Sequence, residues 1–273
     1  MKLETLQNLP SWEWPKDAGE TILRILEDKK SRPSNRLLAA ELAGDFVVIC
    51  DDVLATLLTV LDDDAEAIEL RGGAAIALGP ALEHADTDGF DDPDDMPITE
   101  SMFRKIQETL RKLYMDAPVP KEVRRRILEA SVRAPQDWHQ AAVRAAYSSD
   151  DEEWKLTAVF CMKYIRGFDD QILESLKSSN ADIHFEAVSA AGNWELRAAW
   201  PHIAALVSSE GVEKNLLLAA IEAAAIIRPQ EAEEVLGDLL ESDDEDIVDA
   251  VEEALAMAEA VWGGDEEDEE SGR

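Results

Sequence analysis

The sequence predicts an all-α fold, an α-solenoid of about seven antiparallel helix pairs. Three observations predict it. Apolar residues, mostly alanine and leucine, recur at spacings of three and four, which is helical periodicity. Strand signals are missing: no long Val/Ile/Thr/Tyr run alternates with polar residues, and no Asn-Gly hairpin turn occurs. One helix pattern also repeats along the chain.

The repeat is clearest in two segments. Arg36-Leu37-Leu38-Ala39-Ala40-Glu41-Leu42-Ala43-Gly44 is closely followed in type by Arg71-Gly72-Gly73-Ala74-Ala75-Ile76-Ala77-Leu78-Gly79. The same frame fits from Arg124, Lys155, His184, Asn215 and Val248. Successive anchors lie 29–35 residues apart, except for a 53-residue step between Arg71 and Arg124. Three residues past each anchor stand Ala39, Ala74, Ile127, Ala158, Ala187, Leu218 and Val251. Six residues past stand Leu42, Ala77, Ala130, Cys161, Ala190, Ile221 and Ala254, so both positions share one apolar face.

Each of these helices has an apolar-periodic partner upstream. Ile22-Leu23-Ile25-Leu26 precedes the first, and Val53-Leu54-Leu57-Leu58-Leu61 the second. Phe103-Ile106-Leu110-Leu113, Trp138-Ala141-Ala142-Ala145, Ile172-Leu173-Leu176, Ile203-Leu206-Val207 and Val235-Leu236-Leu239-Leu240 precede the others. The turns between partners are acidic, as at Asp62-Asp63-Asp64, Asp150-Asp151-Glu152-Glu153 and Asp243-Asp244-Glu245-Asp246. Aspartate there caps the next helix and complements its N-terminal dipole.

This pattern resembles the HEAT repeat family, especially its short bacterial form related to the HEAT-like repeats of phycobilin lyases. The resemblance rests on three features: the short Ala-rich second helix, the basic opener at Arg36, Arg71, Arg124 and Lys155, and the closing glycine at Gly44, Gly79 and Gly192. It covers about residues 18–262 and implies a stacked solenoid with a concave face. The expected organisation is an N-terminal cap over 1–17, the solenoid over 18–262 with an acidic insertion at about 85–98, and an acidic disordered tail over 263–273. Trp12 and Trp14 are expected to cover the open end of the first repeat.

The insertion nearly matches a calcium loop counted from His84. Asp86, Asp88 and Asp95 would be positions three, five and twelve, with Gly89 at position six. The departures are His84 in place of the first Asp, Asp91 in place of an apolar residue, and Asp95 in place of Glu. A flexible acidic loop is the favoured reading, and no metal is assigned. A basic island follows, with Arg104, Lys105, Arg111, Lys112, Lys121, Arg124, Arg125, Arg126 and Arg133 against Glu108, Asp116, Glu122 and Glu129. It is read as internal charge balance, with a docking patch for an anionic group or acidic segment as the functional alternative.

The 273-residue chain carries 26 Lys+Arg against 60 Asp+Glu, a net charge of −34. That charge opposes a nucleic-acid backbone or an anionic membrane as the main partner and attracts a basic one. Cys50 and Cys161 are read as packed, reduced thiols. The longest apolar stretch, Leu216 to Ile227, is too short to span a bilayer and contains Glu222. A cytoplasmic setting is expected.

The sequence contains no P-loop, dinucleotide fingerprint, nucleophile elbow or zinc-protease motif. Its four histidines are scattered. Iron hydroxylases built on HEAT-like repeats carry repeated His-Glu dipeptides, and this sequence has none. The expected function is therefore non-enzymatic binding of a protein or peptide, basic in character, on a concave or end surface, without a cofactor. The competing readings are a lyase or other enzyme acting in a groove pocket, and an immunity-type inhibitor of a basic toxin. A homodimer is left open. Positions two and five past the anchor are expected to face the groove, with Leu38, Glu41, Arg126, Glu129, Thr157, Phe160, Glu186 and Ser189 as candidates.

Overall fold

The computed structural model describes residues 3–90, 97–209 and 211–270. Among them the secondary structure is helical, and the chain forms two compact units, Met1–Ala142 and Val143–Arg273. Each unit is a solenoid-like stack of helix pairs, the class the periodicity predicts.

In the first unit a short helix α1 (Leu3–Gln7) precedes the pairs α2 (Ala18–Glu27) with α3 (Pro33–Leu42), and α4 (Asp51–Asp62) with α5 (Ile68–Ala77). An inserted helix α6 (Gly79–Asp88) is followed by the pair α7 (Glu100–Met115) and α8 (Lys121–Ser131). The boundary between units falls within α9 (Asp137–Tyr147). The second unit continues with α10 (Glu152–Cys161), α11 (Asp169–Ser175), α12 (Ala181–Asn193), α13 (Trp200–Val207), α14 (Lys214–Ile227), α15 (Pro229–Leu236) and α16 (Glu245–Glu270).

The seven sequence anchors all open second helices. Six of them are the fourth residue of α3, α5, α8, α10, α12 and α16, and Asn215 is the second residue of α14. These helices stack on one another: α3 on α5 and α5 on α8 in one unit, and α10 on α12, α12 on α14 and α14 on α16 in the other. The first helices α2, α4 and α7 form the other layer of the first unit. Ala39, Ala74, Ile127, Ala158, Ala187 and Val251 are buried between them, as the frame requires.

Two side-chain devices set the repeat. The anchor arginine reaches back to the helix before it. Arg36 donates from Nε and Nη2 to the Leu26 carbonyl at 3.0 and 2.8 Å, and Arg71 donates from Nε to the Leu61 carbonyl at 2.9 Å. Each satisfies an acceptor at the C-terminal end of a first helix, where backbone carbonyls lack helical partners. Arg36 also grips Glu66 with both Nη atoms, at 2.6 and 2.9 Å, and holds that carboxyl below its usual range. The second device is close approach. A Cβ at Gly44 would lie 3.1 Å from the Ala77 Cα, and one at Gly192 would lie 3.0 Å from the Ala223 Cβ. Neither glycine has a positive φ. They are there for contact with the next second helix rather than to end their own.

The insertion differs from the expected loop over its first part, because α6 carries the chain on as helix to Asp88. Gly79-Pro80 reads as a stop in sequence. Proline is also at home in the first turn of a helix, and here it starts one. Ala81, Leu82 and Ala85 then bury one face of α6. The return of the chain is tied down at Thr99, whose N–H and hydroxyl both donate to the Asp51 carboxylate, at 2.9 and 2.7 Å.

The N-terminal segment caps the first unit through Leu3 and Leu6, which are buried, and through Trp14, whose Nε1 donates to the Leu6 and Leu9 carbonyls. Trp12 does not share that role and is 80% exposed. Cys161 is buried, but Cys50 is exposed just before α4, contrary to the expectation of two packed thiols. The tail expected to be disordered from 263 is helical to Glu270 as the end of α16.

Two substitutions test these devices. Arg36→Met leaves the half-buried Glu66 with only Lys29, 3.8 Å away, and strands a helix-terminal carbonyl, and should cost about 1–3 kcal/mol. Gly192→Val overfills the α12–α14 contact and should cost about 1–3 kcal/mol. Both are read from urea unfolding midpoints, and wild-type midpoints for either variant would remove the corresponding role.

Candidate functional site

The structure brings together few of the residues proposed to line a groove. In the first unit, Leu38 packs half-buried against the core and Glu41 is exposed on α3. Arg126 is exposed on α8 and pairs with Glu129 at 2.6 Å, but Glu129 itself is buried. In the second unit Thr157 is 0% exposed and cannot meet a partner. Phe160 leans on Tyr164, with the Lys163 ammonium 4.5 Å from its ring centroid, and Lys163 pairs with Glu186 at 2.7 Å. Ser189 alone of the eight lines the groove described below.

The basic island divides by burial. Arg104, Lys105, Arg111 and Lys112 are exposed along α7, whereas on α8 Arg124 is half-buried and Arg125 is buried. Arg133 crosses Gly79 and pairs with Glu83 of α6, just before the segment expected as the acidic insertion.

The calcium-like register fails in its first half. Asp86 and Asp88 sit on α6 rather than in a loop, and burial pushes the Asp86 carboxyl up. His84 Nδ1 lies 2.8 Å from an Asp88 oxygen, one helical turn on. Asp95 lies outside the described residues. Among the described residues no three His, Cys, Asp or Glu side chains converge as metal ligands.

The second unit carries an open groove of about 680 Å³ between α12, α14 and α16. Phe185, Leu218, Ala250, Ala254 and Met257 give it an apolar floor and side, and Glu222, Asp246, Asp249 and Glu253 line it with carboxylates. On α16 the acids fall at 246, 249 and 253 and the apolar residues at 250, 254 and 257. These are adjacent stripes of one helix. Lys214 bonds Asp244 and Asp246 at 2.8 and 2.5 Å, and its pKa is raised by those contacts, the Asp244 bond first. Glu222, Asp249 and Glu253 are exposed and have no ion pair among the described residues. The acid spacing on α16 was readable in sequence, but it stood in a copy, from Val248, that lacks both the basic opener and the closing glycine.

The histidines also differ from the scattered picture. His184 and His202 lie 18 residues apart in sequence, yet their Nε2 atoms are 2.7 Å apart. One ring must donate and the other accept, so a single proton lies between them. Burial lowers the pKa of both. His139 is 1% exposed; its Nδ1 accepts from the Gln136 N–H at 2.8 Å, which leaves Nε2–H to donate to Ser131 Oγ at 3.0 Å. Desolvation lowers the His139 pKa to about 4. It is a satisfied core residue beneath Trp138, not a base facing a cavity.

No protein-family model matches the chain, and no curated protein matches it in sequence. Among solved structures it is similar to human deoxyhypusine hydroxylase in complex with glycerol, at 18% identity over 94% of this chain and 88% of that one, with a TM-score of 0.42. It is similar to the Escherichia coli protein YibA at 19% identity, over 93% of this chain and 85% of that one, with a TM-score of 0.45. Kap95p, solved with RanGDP, shows 14% identity over 94% of this chain and 42% of that one, with a TM-score of 0.40. The first of these is an enzyme, so the expectation that the chain is not one is withdrawn. Among the described residues no helix is long and apolar enough to cross a membrane.

Buried neutral imidazoles make stability depend on pH. His139 has a folded pKa of about 4 against an ordinary 6.5, so its neutral form stabilises the fold above about pH 6.5. That contribution is lost progressively as pH falls toward 4, by on the order of 3 kcal/mol. Unfolding midpoints should drop between pH 7 and 5, and His139→Gln should flatten the drop. An unchanged slope in that variant would place the proton uptake elsewhere.

Proposed function

We propose that the chain is a HEAT-like repeat protein of the short bacterial type that binds a basic segment of a partner protein, and that the groove of the second unit is the binding surface. The observation that carries this reading is the set Glu222, Asp249 and Glu253, exposed and without an ion pair among the described residues, beside the apolar stripe that ends at Met257. Exposed carboxylates are commonplace on an acidic protein. Carboxylates that flank an apolar furrow supply both halves of a recognition surface, burial for affinity and charge for register and speed of encounter. The net charge of −34 adds a long-range field that favours basic partners and repels nucleic acid. Stacked helical repeats present their inner helices along such surfaces, and α12, α14 and α16 are the second helices of successive pairs. The proposed organisation is a cap over 1–17 followed by the repeats, acting in the cytoplasm.

The test is capture from cells with the intact protein and with a triple variant, Glu222→Lys, Asp249→Lys and Glu253→Lys, at low and moderate salt. All three positions are exposed, so the variant should fold. A basic protein held by the intact chain at low salt, weakened at moderate salt and lost with the variant is the expected result. A partner held equally by both proteins would move the binding surface off this groove.

A further inference from the structure

Resting on that reading of the groove, we infer that its occupant is a basic amphipathic helix, laid along α16 with its apolar stripe against the alanine side of that helix. The argument is one of spacing and of backbone hydrogen bonding. On α16 the carboxylates at 246, 249 and 253 recur at three and four residues, and the apolar side chains at 250, 254 and 257 do the same. Over this span the two stripes run side by side for about 16 Å, roughly three turns. On α14, Leu218 and Glu222 continue the same pairing, an apolar residue one turn from an acid.

A partner that follows both stripes needs cations and apolar residues on neighbouring faces at this same periodicity, which a helix provides. An extended peptide places successive side chains on opposite faces and repeats every two residues, so it cannot keep both sets in register. Its own N–H and C=O groups would also be laid on Ala250 and Ala254, which offer no hydrogen bonds. The groove walls are helices whose backbone groups bond internally, so they present no edge on which a strand could pair. A polyproline segment is served by aromatic-lined grooves, and the one aromatic residue here is Phe185. Small side chains at 250 and 254 allow a second helix to come close. Phe185, Leu218 and Met257 then stand as taller contacts around it. Asp246 is already held by Lys214, which leaves Glu222, Asp249 and Glu253 as the acids that meet the partner's cations.

The probe is an acetylated and amidated lysine/leucine/alanine peptide of about 15 residues, a length at which an isolated helix is marginal in water. In one version leucines fall at helical spacing with lysines on the flanking faces. In the second the same residues are reordered so that leucine and lysine alternate. Binding to the full chain is followed by fluorescence anisotropy, and peptide helicity by circular dichroism difference. The helical version should bind about tenfold tighter or better, a difference of about 1.4 kcal/mol, and gain helix on binding. Asp249→Lys with Glu253→Lys should abolish that binding, and Met257→Glu should weaken it. Equal binding of both peptides would overturn the helix inference while leaving an acidic binding groove. No binding of either peptide, alongside a captured cellular partner that Glu222, Asp249 and Glu253 control, would also overturn it. Binding untouched by the groove variants would overturn both readings.

Discussion

The stack depends on how closely the second helices approach one another. At Gly44 against Ala77, and at Gly192 against Ala223, backbone meets backbone with no room for another methyl group. Dispersion falls off steeply with distance, so contact at this range adds attraction that longer side chains would hold apart. It also fixes the rise from one repeat to the next. Ala39, Ala74, Ala158 and Ala187, each three residues past its anchor, serve the same end by keeping the buried face narrow. The acidic turns sit outside this packing, which is why so much negative charge can be carried without entering the core.

The anchor arginines supply the second layer of order. Arg36 and Arg71 each reach a carbonyl ten residues back, so the end of a first helix is completed by the start of the second. Arg36 also holds Glu66 in the turn before α5, which joins one pair to the next. At Arg36 and Arg71 the basic opener is thus a structural clasp, which says little about what the protein binds.

Much of this was legible in the sequence. The register of all seven second helices follows from three- and four-residue spacing because each must bury one continuous stripe. The inserted helix was hidden because Gly-Pro is ambiguous between an ending and a beginning, and burial of Leu82 decided it. Of the eight positions expected to face a groove, Ser189 alone lines the one described above, for a related reason. Second helices are packed by a neighbour on each side and by their own partner, so little of their circumference is open. In α12 Ile183, Ala187, Val188, Ala190 and Ala191 are all buried, which leaves Phe185 and Ser189 facing the groove. Thr157, assigned to the open face, lies instead within the packed arc of α10. The His184–His202 contact joins two helices, and no spacing rule along one chain segment reveals it.

Lys214 gives the groove one further property. It stands on α14 and holds Asp244 and Asp246 at the start of α16. One of the groove's carboxylates, Asp246, is therefore already paired with a cation of the chain's own. A guest that extends its positive charge to Asp246 must compete with an internal rival already in place, whereas one whose charge stops at Asp249 and Glu253 meets no such rival. For the proposed basic guest, this pairing limits how far along the groove its charge can usefully reach. The same lysine fastens the start of α16, so a guest that displaced it would also loosen the wall against which it rests.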